Sequence, residues 1–65
     1  MKIKIEGMSC HHCKMAVEKT LARIKGITSY TVNLDQGDAM IEGNPDPEFI
    51  IAEINKLGYR ATLAE

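Results

Sequence analysis

The 65 residues, 45% hydrophobic and 26% charged, are enough for one small domain and exclude a deep catalytic cleft. Eight basic against nine acidic side chains give a net charge of −1, which excludes the strongly basic surface of a general nucleic-acid binder. No segment is apolar over the length of a secretory signal or a bilayer span, so the expectation is a single soluble domain over residues 1–65, working in the cytoplasm without membrane insertion.

Lys2-Ile3-Lys4-Ile5-Glu6 alternates polar and apolar residues with the period of a half-buried strand, and Gly7 ends it. From about His12 to Lys25, Cys13, Ala16, Val17, Leu21 and Ile24 form one stripe at about 100° per residue, predicting an amphipathic helix that Gly26 terminates. Ile27 to Leu34 alternates through Tyr30, Val32 and Leu34. Ala39 and Ile41 alternate again beyond the polar turn Asp35-Gln36-Gly37, which gives a hairpin. Asp46 then suits a helix cap and Pro47 a first helical turn, with Ile50, Ile51, Ile54 and Leu57 as the inner stripe. Gly58 stops this second helix, and Tyr59, Ala61 and Leu63 alternate as a last strand. The order βαββαβ, with one apolar stripe per helix, packs most economically as an α+β, ferredoxin-like fold: two helices on one face of a four-stranded antiparallel sheet.

Both cysteines and both histidines of the chain fall in Cys10-His11-His12-Cys13, on the loop from the first strand into the first helix. Two thiols at a helix N-terminus can turn toward one point, and the positive end of the helix favours their thiolate forms. Thiolates are soft ligands that select Cu(I) and, less strongly, Zn(II). A closed zinc site needs four protein ligands, and no second cysteine pair exists. Four ligands drawn from positions 10 to 13 could hardly wrap one ion, whereas a dithiolate suits Cu(I) and stays open to a partner's ligand. Haem attachment would need His where Lys14 stands. Nucleophilic catalysis would need a base and an oxyanion site that the sequence does not supply. A small thiol oxidoreductase is the alternative from another class.

Gly7-Met8-Ser9-Cys10-His11-His12-Cys13 resembles the Gly-Met-x-Cys-x-x-Cys signature of heavy-metal-associated domains, and Leu57-Gly58-Tyr59 also fits that family. Within it, a single domain of this length looks like a bacterial copper chaperone. The resemblance implies that Cys10 and Cys13 bind one Cu(I) and pass it by ligand exchange to the metal-binding domain of a copper-transporting P-type ATPase, without enzymatic turnover. It implies a monomer, with metal-bridged homodimers when copper exceeds competing thiols. Met8 becomes a plug beneath the loop and Tyr59 a neighbour of the metal, where bacterial chaperones often carry Tyr and eukaryotic ones Lys. The paired histidines depart from the family pattern. His11 or His12 is an auxiliary ligand candidate that would widen the site toward Zn(II), with Hg(II) the further alternative for a domain belonging to a metal transporter or a mercury-handling protein. Lys14, Lys19, Arg23 and Lys25, against Glu18 alone between positions 14 and 25, are either a solvated face or a surface that steers an acidic partner.

Overall fold

The computed structural model describes residues 1–64. Their elements run β1 (Lys2–Glu6), α1 (His11–Ala22), β2 (Ile27–Asn33), β3 (Asp38–Gly43), α2 (Pro47–Lys56) and β4 (Arg60–Leu63). The strands form one antiparallel sheet in the order β2-β3-β1-β4, with both helices packed on one face, the predicted ferredoxin-like arrangement. No helix among the described residues is long and apolar enough to cross a membrane.

Period-two alternation decides which side chains enter the core. Ile3 lies opposite Ala39, Ile5 opposite Ala61, Val32 opposite Ala39 and Tyr30 opposite Ile41, so their side chains share the face beneath the helices. Val17 and Leu21 from α1 and Ile50 and Ile54 from α2 close over them, all four fully buried. At roughly 1.5–3 kcal/mol for each fully buried large aliphatic side chain, this layer is the main stabilising term in so small a domain.

The helices are shorter than their apolar stripes suggest. Helix α1 stops at Ala22 because the Arg23 and Ile24 amides bond to the Thr20 and Leu21 carbonyls, three residues back, which tightens and closes the last turn. Ile24 is still buried, but from the connection to β2 rather than from the helix. Gly26 therefore does not cap α1. It lies where the chain passes Asn44, whose amide donates to the Gly26 carbonyl, and a Cβ at Gly43 would run into that same carbonyl.

Helix α2 begins as predicted, with the Asp46 carboxylate accepting the Glu48 amide and Pro47 in the first turn. Leu57 departs from expectation: it is the C-cap and is exposed, because the helix ends at Lys56 before the stripe returns to the core. Leu34 and Tyr59 likewise lie just outside their strands, Leu34 in the β2–β3 turn and Tyr59 before β4. Leu63 pairs with Ile3 but is half exposed, since it sits at the end of an edge strand.

Candidate metal centre

Three chain segments meet beyond the end of β1: the loop from Gly7 to Cys10, the β2–β3 turn, whose Gly37 carbonyl accepts the Ile5 amide, and Tyr59 at the entry to β4. Cys10 is the N-cap of α1, in extended conformation, and its side chain makes no capping hydrogen bond. Its carbonyl instead accepts the amides of both Cys13 and Lys14. That first turn draws Cys13 back toward Cys10 and brings the two sulfurs to 3.7 Å. Both thiols are free, Cys10 exposed and Cys13 half-buried.

The electrostatics around the pair favour negative charge. The first turn of α1 contains no acidic residue, so nothing opposes the positive end of the helix. The Cys13 thiol is lowered from the usual 9.0 to about 6, chiefly by hydrogen bonding from the Ser9 backbone amide and next by the Tyr59 hydroxyl; partial burial opposes this, and Cys10 adds smaller lowering contributions. Tyr59 responds in the opposite sense. Its phenol is pushed up because it donates to the Cys13 sulfur, with burial and the charge of both thiols adding to the effect.

Tyr59 can come this close because Gly7 has no side chain. A Cβ at Gly7, whose φ is +107°, would meet the Tyr59 ring edge at 3.2 Å. Met8 is half-buried and packs against the core from the adjacent position. His11 and His12 are both exposed in the first turn of α1. His11 lines a groove with Lys14, Asn33 and Asp35. Among the described residues, no group of three or more His, Cys, Asp and Glu side chains is gathered to hold a metal ion. Ser9 was not legible as a site residue, because it acts through its main chain and any residue type except proline would supply that amide.

A donor set of two closely spaced thiols, one held as thiolate at neutral pH, fits a soft metal ion and leaves the remaining coordination positions facing outward. Comparisons with known proteins agree in kind. The model of the heavy-metal-associated domain matches residues 2–60. The copper chaperone CopZ of Staphylococcus epidermidis is 52% identical over 42 residues, 65% of this chain. That match spans 62% of the relative's own length. The Cu(I)-loaded N-terminal domain of a potential copper-translocating P-type ATPase from Bacillus subtilis superimposes with a TM-score of 0.88 at 32% identity, covering 95% of this chain and 81% of that one. The Hg(II) complex of the N-terminal domain of the Tn501 mercuric reductase superimposes with a TM-score of 0.84 at 35% identity, covering 98% of this chain and 96% of that one.

Proposed function

The chain belongs to the heavy-metal-associated domain family, and on that premise we propose that residues 1–65 act as one copper-chaperone domain that carries Cu(I) on Cys10 and Cys13. The observation that carries this reading is the pair of free sulfurs 3.7 Å apart at the N-terminus of α1. With metal–sulfur bonds of about 2.3 Å, sulfurs at that separation subtend an angle of about 107° at the ion, whereas a linear site would need them roughly 4.6 Å apart. Rotation of the exposed Cys10 side chain can widen that spacing, and either arrangement leaves a third position open to solvent. A Cu(I) dithiolate bears one net negative charge, which the helix N-terminus and the Ser9 amide stabilise.

That open position supports a mechanism of transfer by ligand exchange. A cysteine of an incoming domain of the same fold enters the third position, one of the chain's own thiolates leaves, and the ion passes across with no step in which it is free. The acceptor in this reading is the metal-binding domain of a copper-transporting P-type ATPase, and the setting is the cytoplasm, where thiols stay reduced. The protein is a carrier without turnover, monomeric until excess copper bridges two copies. Met8 supports the loop from beneath, the Tyr59 hydroxyl stands beside the Cys13 sulfur as a neighbour of the ion, and His11 and His12 stay auxiliary candidates. The likeness to the mercuric reductase domain favours Hg(II) as a second cargo for the same two sulfurs, and Zn(II) is the borderline alternative.

X-ray absorption on the Cu(I)-loaded protein tests the assignment directly. Two protein sulfurs and no nitrogen are expected. A shell containing imidazole would assign His11 or His12 to the site, and retention of native Cu(I) affinity in both Cys10→Ala and Cys13→Ala would refute the proposal.

A further inference from the structure

Strand β4 is a short edge strand, and its pairing leaves one buried donor with nowhere to go inside the sheet. Ala61 lies opposite Ile5, but Ile5 gives its amide to the Gly37 carbonyl rather than to β4. The Ile5–Ala61 pair is therefore of the kind whose N–H groups point away from each other. The Ala61 N–H is thus turned to the open edge of the sheet, on a residue only 4% exposed. Left unpaired there, it would cost the protein the desolvation of a backbone donor.

Asn55 resolves this. Its side-chain Oδ1 accepts the Ala61 amide at 3.0 Å, and its backbone carbonyl accepts the Gly58 amide, also at 3.0 Å. One residue in the last turn of α2 therefore holds the chain on both sides of Tyr59. Asn is a poor choice for a helix on intrinsic grounds, because its side chain competes for backbone hydrogen bonds. Here that competition is what the fold uses. The loop's other anchor is the bare surface of Gly7 against which the Tyr59 ring rests.

We infer that Asn55 is a positioning residue for the metal site: by gripping Ala61 and Gly58 it fixes the loop that holds Tyr59 against Gly7 and the Cys13 sulfur. This inference rests on the proposed Cu(I) role of the thiol pair for its consequence, but its structural part stands without metal. Asn55 touches neither sulfur. It acts through Tyr59, so its removal should matter to the ion only while Tyr59 has a hydroxyl to place.

The test has two arms. In the metal-free protein, Asn55→Ala is expected to speed amide exchange at Ala61 and to abolish the nuclear Overhauser cross-peaks between the Tyr59 ring and the Gly7 α-protons. Asn55→Asp, which keeps the acceptor oxygen, should preserve both. In the Cu(I)-loaded protein, Asn55→Ala should lower retention against a competing Cu(I) chelator by up to about fivefold, the worth of the one hydrogen bond that a correctly placed Tyr59 hydroxyl gives the site. In a Tyr59→Phe background the same substitution should change retention by less than about twofold, because coupled residues are non-additive when one acts through the other. Cross-peaks unchanged in Asn55→Ala, or an equal loss of retention in both backgrounds, would overturn the inference. If the unaltered protein held no Cu(I) on Cys10 and Cys13, the proposed function would fail, while the metal-free arm would still decide the role of Asn55.

Discussion

The lowered Cys13 thiol makes a quantitative prediction about reactivity. With Cys10 replaced by Ser, which isolates Cys13 and prevents a disulfide between the two, the rate of exchange with an aromatic disulfide should follow the Cys13 thiolate. A thiol titrating near 6 is roughly 90% ionised at pH 7, against about 1% for an ordinary thiol titrating near 9. Its intrinsic nucleophilicity is lower, by a factor of about 20 for three pH units at a Brønsted slope of 0.4–0.5, so the net advantage is about fourfold at pH 7 and about twentyfold at pH 6. The shape of the profile is more diagnostic than the rate at any one pH: half-maximal near pH 6, with a plateau above 7. Tyr59→Phe removes the second-largest cause of the shift and leaves the largest, the Ser9 amide, so the midpoint should move up without reaching the ordinary value. A rate that still climbs between pH 7.5 and 9 in the Tyr59 protein, or a midpoint indifferent to Tyr59→Phe, would refute the account of the site's electrostatics. The same shift bears on folding. A group whose folded pKa is depressed contributes stability that is fully present above the unfolded pKa near 9 and is lost as pH falls through the folded value near 6, so the metal-free protein should weaken across that window.

Leu21→Ala deletes a fully buried side chain and should cost about 2–5 kcal/mol in urea unfolding, a large share of the roughly 3–10 kcal/mol expected of a 65-residue domain. Asp46→Ala removes the carboxylate that accepts the Glu48 amide. It should cost about 1 kcal/mol, with a loss below 0.3 kcal/mol counting against the cap as the start signal of α2. If Lys14, Lys19, Arg23 and Lys25 steer an acidic partner, association with a partner ATPase domain should slow as salt rises from 0.05 to 0.5 M, and stopped-flow rates independent of salt would leave them a solvated face only.

Much of the architecture was legible in the sequence because alternation and helical stripes are one-dimensional records of which side chains avoid water. Ile3, Ile5, Val17, Leu21, Val32, Ile41, Ile50 and Ile54 all entered the core from the faces that their periodicity marked. The helix ends were less legible. Ile24 and Leu57 continue their stripes in sequence, yet α1 closes two residues before Ile24 and Leu57 is left exposed. Helix ends depend on the hydrogen bonds the last carbonyls find, and hydrophobic pattern does not record those.

The thiol pair was equally plain in the sequence, since two cysteines separated by two residues before an amphipathic helix can hardly avoid converging. Their surroundings were not. The Ser9 amide acts through the backbone, the Gly7–Tyr59 contact joins two ends of the chain, and the role of Asn55 exists only because β4 is an edge strand whose Ala61 donor faces outward. Residue types and spacing therefore determined that Cys10 and Cys13 would meet and which elements carry the candidate site. Only the packed sheet decided how the site is held, because an unpaired donor and a close approach between remote residues come into being when the strands pair.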